Sequence, residues 1–536
     1  MDTQVLIVGA GPTGLTLAVD LGLRGVRCTI IEHKPEPQFL PKMERVNARS
    51  MEIYRRMGLA GKIRAAGLPR DVPMDVFIVL SLVGPPLLHL PYPSVAQAQE
   101  EIAATHDGSQ PLEPYQLISQ YTIEPLLKSV AETLPSVTVR YGCELLSFTQ
   151  DAGSVTATVK DLAGKTSQIT ALYLAGCDGG SSLVRRQVGI RLAGNEDRML
   201  SLRQSLHYCE DLFERIPIGK GRHYHVADNR ATQFIVQDST RHFTLHSIVD
   251  TDADMVTMFE KTIAMPLKFD TLYVGPWRQN LLLADRYAEG RVFMAGDAVK
   301  LVIPTGGLGM NSGVGDAIDL SWKLAATLKG WGGPKLLAAY EAERRSVGDH
   351  VVKASRFATL GRRKWRSMWK PNIRDETPEG EETRAALARV ADIEQRKSNE
   401  MIGAELGYRY DGSPLIASES GEPPAIDFIA YRPTAWPGAR LPHAWLTDGT
   451  PMQDRIGYDL HFTLLRLGRS QADISGLAQA FSALGAPLKV LDISDEEPRA
   501  IYGCDLLLIR PDLHVAWRGN RPPEDARRLA AMVTGH

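Results

Sequence analysis

The chain is poor in cysteine, and the cysteines it has are not arranged for chemistry. Five are scattered over 536 residues, at positions 28, 143, 177, 209 and 504, and none form a C-x-x-C pair. That pattern excludes a disulfide framework, a zinc site and a dithiol centre, and it suits a reducing compartment. A dominant charge is also missing. The 61 Lys and Arg against 63 Asp and Glu leave a formal net charge of −2, which gives no reason to expect a nucleic-acid partner. No apolar run approaches the length of a membrane span. Met1-Asp2-Thr3-Gln4 leads straight into apolar Val5-Leu6-Ile7-Val8, without the basic start and longer apolar run of a secretory leader. The expectation is a cytoplasmic protein with no membrane partner.

What is present is ordinary globular composition, with 44% apolar and 23% charged residues. At 536 residues the chain exceeds what one core usually supports, so two or three domains are expected.

Three short segments carry the chemistry. The first is Gly9-Ala10-Gly11-Pro12-Thr13-Gly14, directly after the strand-like run Val5–Val8 and before Leu15, Ala18, Val19 and Gly22 at helical spacing. In such a unit Gly9 permits the tight turn, Gly11 lets the backbone approach a pyrophosphate, and Gly14 lets helix and strand pack closely. The diphosphate would sit on the N–H groups and positive dipole end of that helix. A second strand, Arg27 to Ile31, ends at Glu32, 18 positions after Gly14, where an acidic residue is expected to accept from ribose hydroxyls. The next residue is His33.

The second segment is Gly176-Cys177-Asp178-Gly179, between the strand-like Leu172–Ala175 and a helix entered through Ser181 and Ser182. Alone, an Asp-Gly followed by Ser-Ser is a turn and an N-cap. Between the other two segments, Asp178 and Arg185 become candidates to hold the loop or a ligand by charge-assisted hydrogen bonds. In the third segment, Val292–Ala295 reads as a strand ending at Gly296-Asp297, followed by Pro304-Thr305-Gly306-Gly307-Leu308-Gly309-Met310-Asn311. Asp297 falls at the strand's carboxyl edge, where ligands of such sheets lie, and its carboxylate can accept from the hydroxyls of a ribitol chain. Gly306, Gly307 and Gly309 would allow backbone contact with a flat ring. The helix starting near Met310 would aim N–H groups at a flavin pyrimidine, where negative charge collects on reduction. In this order the three segments point to FAD.

With those residues in place, the chain resembles the group A flavoprotein aromatic hydroxylases, typified by para-hydroxybenzoate and phenol hydroxylases. It is most similar to the three-part members that act on phenols or aromatic polyketides. The resemblance covers essentially the whole chain. It implies a Rossmann-like FAD-binding domain in three pieces (1–75, 100–190 and 285–360), an interleaved β-sheet substrate domain (76–99 and 191–284), a helical and linker region (361–425), and a thioredoxin-like α/β domain without C-x-x-C (426–536). The fold class is thus α/β with α+β. By resemblance, Arg49 in Asn47–Glu52 belongs to a helix beside the flavin, Gln120 with Glu124 meets the adenosine side, and Lys42 after Pro41 stands where the family usually has Arg. Lys300 stands where it usually has His. For Lys300 two readings remain: contact with an anionic substrate or reduced flavin, or, as the favoured expectation, a solvent-facing position outside the pocket.

The implied activity is that of a single-component monooxygenase. NADPH or NADH reduces FAD, dioxygen adds at flavin C4a, and the hydroperoxide transfers OH to a phenolic or polyketide-type ring, with loss of a ring substituent as a variant. Pro304, Tyr224 and His225 are the catalytic candidates, and His207, Tyr208, Arg222 and His246 are further candidates to orient or deprotonate a phenol. The alternatives are a flavin reductase or epoxidase of related fold acting on a non-aromatic substrate, and a non-catalytic flavin-binding protein. The basic Gly361–Lys370 stretch could attract NADPH phosphate or a membrane surface, but the favoured reading is a solvated face covering apolar surface with two tryptophans. A structural or oligomerisation role, including a homodimer, is left for the terminal domain.

Overall fold

In a computed structural model the described residues are all but 41, 195–200, 469 and 471. Pro41, part of the Pro-Lys reading, therefore lies outside them. The core sheet holds five parallel strands in the spatial order Val137–Tyr141, Cys28–Glu32, Thr3–Val8, Thr166–Gly176 and Val292–Met294. Val5, Leu6 and Ile7 at its centre are fully buried, as a parallel strand covered on both faces requires. The three strands that precede the three glycine-bearing segments are adjacent, so the segments emerge side by side at one carboxyl edge.

Helices Pro12–Leu23 and Gly309–Leu328 pack against each other over this edge. Close approach is possible because Gly313 and Gly296 lie against Thr13. A Cβ at either would come within 2.3 Å and 2.7 Å of the Thr13 hydroxyl, and Gly296 also has a φ of +66°.

A second sheet of seven strands runs from Asp270–Arg278 through Ser201–Tyr208, His242–Ser247, Gln233–Val236 and His223–Val226 to Val76–Val79 and Leu88–Leu90. The 76–90 segment thus crosses from the first sheet to join the second. One face carries Tyr224, Phe234, Val236, Phe243 and Leu245, packed on Met255, Phe259 and Ile263 of helix Asp252–Ile263. Each such side chain contributes about 1.5–3 kcal/mol on burial. The opposite face carries Gln233, Gln237, Thr244 and His246, which are polar and turned toward the first sheet.

The C-terminal part forms a four-stranded sheet ordered Leu488–Ile493, Phe462–Leu467, Leu506–Ile509, Val515–Gly519, with the first pair parallel and the others antiparallel. It is not a loosely tethered appendage. Arg510, fully buried, donates to Glu343 Oε1 (2.5 Å), Asp319 Oδ1 (3.0 Å) and Asp512 Oδ2 (2.6 Å). Lys323 donates to Asp319 (2.7 Å) and Glu343 (2.5 Å) from the other side. Burial opposes ionisation of Glu343, but Arg510 and Lys323 outweigh it and hold its carboxyl below the usual range. Among the described residues no helix is long and apolar enough to cross a membrane.

Replacing Arg510 leaves three buried carboxylates short of a cation. Arg510→Met is expected to cost about 3–5 kcal/mol of stability in a denaturant titration. Arg466→Met, which breaks the more exposed pair with Asp492, should cost less than about 1 kcal/mol. Equal small losses would show that the buried network is not what holds this domain.

Candidate active site

A single cavity of about 940 Å³ opens at the carboxyl edge of the first sheet and continues under the polar face of the second. Its volume is at the upper end of what one small-molecule site usually needs, which leaves room for a cofactor with a substrate beside it.

The first wall is the glycine loop. Gly9, Gly11, Pro12 and Thr13 line the cavity. Helix Pro12–Leu23 has no side-chain cap on its N-terminus, which opens into the cavity, so its first N–H groups are available to an anion. Gly9 has a φ of +100°, and a Cβ there would lie 2.4 Å from the Cys177 carbonyl oxygen. Gly14 lies behind the wall: its Cβ would meet the Gly9 carbonyl at 2.0 Å, which gives it a packing role. A Cβ on Gly11 would meet only Glu124, at 3.9 Å, and otherwise project into open cavity. Glu32 accepts from the Ala10 backbone N–H (2.9 Å) and lies 2.8 Å from exposed His33. Lys42 and Gln120 complete this end, with Gln120 donating to Glu124 at 2.5 Å.

The second wall brings together Asp178, Gly179 and Asp297. Asp178 Oδ2 accepts from the Val184 N–H (3.1 Å), while its Oδ1 is enclosed without a partner. Arg185 holds the loop by donating to the carbonyls of Gly180 (3.1 Å) and Ala298 (2.9 Å) and does not reach the cavity. Asp297 is exposed to cavity water but lies deep between walls. Burial raises its carboxyl pKa, and Lys300 and Lys42 offset part of that rise.

Pro304, Gly307, Gly309, Met310 and Asn311 form the third wall. The Gly307 N–H donates to the Pro304 carbonyl (2.9 Å), a turn that Gly306 and Gly307 reach with φ of +92° and +66°. Asn311 pins it, donating to the carbonyls of Gly307 (2.6 Å) and Arg45 (3.1 Å) and accepting from the Asn47 N–H (2.9 Å). Helix Gly309–Leu328 is the second helix whose N-terminus, without a side-chain cap, opens into this cavity. Two free helix N-termini, an unsatisfied Asp178 oxygen and two ribose-level carboxylates fit a dinucleotide carrying a flat, electron-accepting ring.

Four expectations are corrected by the structure. Lys300 is 1% exposed and forms an ion pair with Asp316. Asp316 also accepts from Arg344 Nε (2.8 Å) and the Gly296 N–H (3.0 Å), so the solvent-facing reading fails and Lys300 braces the turn before Asp297. Arg49 faces away from the cavity, donating to the Asp512 carbonyl at 3.0 Å. Tyr224 is fully buried on the apolar face and donates to the Gly219 carbonyl (2.7 Å). His225 lies against Gln395 and Trp365, outside the cavity. Among the other candidates, Arg222 and His246 line the cavity. His207 is stacked on Phe259, and the Tyr208 hydroxyl pairs with Glu210 at the surface.

Sequence reading missed His223, Glu44, Gln233 and Arg362, all of which line the cavity. Strand alternation was the available signal for His223: with Tyr224 on the apolar face, its neighbour must face the other way. His223 Nε2 lies 2.5 Å from Glu44 Oε1, and its Nδ1 is enclosed without a partner. Burial lowers the His223 pKa. Glu44 is held at about 2, burial being outweighed by His223 and Arg222.

A dinucleotide site on a parallel sheet, roofed by a second sheet in the same chain, defines a flavin-dependent oxidoreductase. Residues 2–355 match the FAD binding domain family model, and residues 434–535 match the C-terminal domain of aromatic-ring hydroxylases. The chain is 31% identical to the FAD-dependent monooxygenase apdD of Emericella nidulans, over 99% of this chain and 90% of that protein. It is also 31% identical to aklavinone 12-hydroxylase RdmE of Streptomyces purpurascens, over 99% and 98%. RebC, solved with 7-carboxy-K252c bound after a chromopyrrolic acid soak, superposes with a TM-score of 0.89 at 32% identity over 99% of both chains. The chain belongs to the FAD-dependent aromatic-ring hydroxylases and is a flavin monooxygenase.

Gly11→Val should give a folded but colourless protein, because the new side chain enters only the space a diphosphate would use. Gly14→Val should lose the fold, because its Cβ meets backbone. Bound flavin per chain and the melting temperature separate the two. A yellow Gly11→Val protein would contradict the assignment.

Proposed function

We propose that this monooxygenase hydroxylates a phenolic substrate of several fused or linked rings, bound under the polar face of the second sheet. The observation that carries this is the continuity of one large cavity from the glycine loops to His223 and Glu44. The relatives named for aklavinone hydroxylation, and the neighbour solved with 7-carboxy-K252c, support a multi-ring substrate.

FAD, when bound, supplies the redox chemistry, taking electrons from NADPH or NADH and activating dioxygen. Everything else is done by the chain. Gly9, Gly11 and the helix beginning at Pro12 bind the diphosphate. Asp178 and Asp297 accept from hydroxyls. The N-terminus of helix Gly309–Leu328 stabilises negative charge on the ring system. The Pro304–Gly307 turn and the sheet above it exclude bulk water, which protects the activated oxygen from loss as peroxide.

His223 has the geometry of a general base. Its Nε2–H donates to the Glu44 carboxylate, a tautomer assigned from that contact, which leaves the unpartnered Nδ1 as the acceptor for a phenol proton once a bound ring opens access to it. Glu44 then stabilises the imidazolium. Loss of that proton raises electron density at the ring carbons ortho and para to the oxygen, where hydroxylation occurs.

A panel of mono- and multi-ring phenols, scored for stimulated NAD(P)H oxidation and for product against peroxide, tests the reading. A bound flavin with no response to any phenol would overturn it. For the base, the sign is set by burial. His223 works when neutral, and its pKa is lowered from 6.5, so hydroxylation should persist as pH falls through 6.5 and decline only at lower pH. His223→Gln should lower the rate by about 100-fold or more, retain FAD, and lose that acid limb.

A further inference from the structure

Arg362 belongs to the basic stretch expected to form a solvated face, yet its side chain turns inward and lines the cavity beside Gln233, Arg222 and His246. It is half-buried. Nη1 donates to Gln233 Oε1 at 3.0 Å, and Nε is enclosed without a partner. Three other interior arginines near the site have counter-charges. Arg45 pairs with Glu405, Arg344 with Asp316, and Arg366 lies 3.8 Å from Asp228. Among the described residues Arg362 has no carboxylate at ion-pair distance.

The charges around it make this worse. Arg366 on the same helix and Arg222 in the cavity wall repel it, and the carboxylate that partly compensates, Glu44, is already held by His223. Burial, Arg366 and Arg222 together push the guanidinium down to about 9. A cation held in a cavity wall without a counter-charge costs free energy that an arriving anion offsets. The neighbouring Gln233 amide adds a neutral polar group that carboxylate oxygens tolerate, and a guanidinium matches a carboxylate's two oxygens in one plane.

We infer that Arg362 is the binding site for a carboxylate carried by the substrate, so that the preferred substrate is a multi-ring aromatic acid. This rests on the proposed function, whose site it refines. It places the acidic group at the end of the cavity formed by helix Pro334–Arg366, with the hydroxyl-bearing ring left for His223.

The test compares 1-hydroxy-2-naphthoate with 1-naphthol on the FAD-loaded protein. Binding is read from the fluorescence of Trp277, which lines the cavity, and so does not depend on turnover. The expected result is naphthoate binding at least about tenfold tighter than naphthol. Arg362→Gln should bring the two within about twofold by weakening naphthoate far more than naphthol, and Arg362→Lys should keep part of the preference. Melting temperatures check that both variants fold. Equal or weaker naphthoate binding by the wild type, no binding of either probe, or a preference that survives Arg362→Gln would overturn the inference. A preference lost in Arg362→Gln, in a protein whose NAD(P)H oxidation no aromatic stimulates, would uphold the anion site and sink the hydroxylase reading instead.

Discussion

Three carboxylates on two packed helices, Asp316, Asp319 and Glu343, sit in the interior of the molecule, and the rest of the architecture is arranged so that each meets a cation. Lys300 and Arg344 serve Asp316, while Lys323 and Arg510 serve Asp319 and Glu343. The first group fixes the turn that presents Asp297 to the cavity, since Asp316 also accepts from the Gly296 N–H. The second reaches into the C-terminal sheet through Arg510. An uncompensated charge at this depth would cost several kcal/mol, so cofactor turn and terminal domain are bound to the same pair of helices. Arg440, buried against Glu52, repeats the arrangement near the helix that begins after Asn47.

The cavity between these parts has two chemically different sides. At the carboxyl edge of the parallel sheet it offers backbone N–H groups and glycine surfaces, suited to phosphates and a flat ring. Under the second sheet it offers His223, Glu44, Gln233 and Arg362, suited to a polar aromatic molecule. The difference follows from strand alternation. The residues that pack on helix Asp252–Ile263 are apolar, and those one position away in sequence are polar and face inward. The same period explains why Tyr224 is a core residue and His223 a cavity residue.

The nucleotide side was legible in the sequence because its signals are local. Each of the three segments joins a strand to a glycine turn, with Asp178 and Asp297 inside two of the turns and Glu32 on the next strand after the first, and adjacency of the three strands in the parallel sheet brings the segments to one edge. What could not be read depends on partners far along the chain. Lys300 turns inward because Asp316 and Arg344 are packed against it. Arg49 turns away because the Asp512 carbonyl, 463 positions distant, lies beside it. Arg362 and Arg366 sit on a helix whose inward face is chosen by the sheet it packs on, and the charge density of the stretch pointed the other way. On the substrate side, Arg222 and His246 line the cavity, while Tyr224, one residue from His223, falls on the opposite face of its strand.

The central claim is that electrons from a nicotinamide are used in this cavity to place one atom of dioxygen on an aromatic ring. Turnover of the FAD-loaded protein under isotopically heavy dioxygen, with a multi-ring phenolic acid and NADPH or NADH, tests it most directly. The account predicts a product heavier by one labelled oxygen, formed one for one with nicotinamide oxidised and with little peroxide. Nicotinamide oxidation that yields only peroxide across the panel, or product oxygen drawn from water, would contradict it.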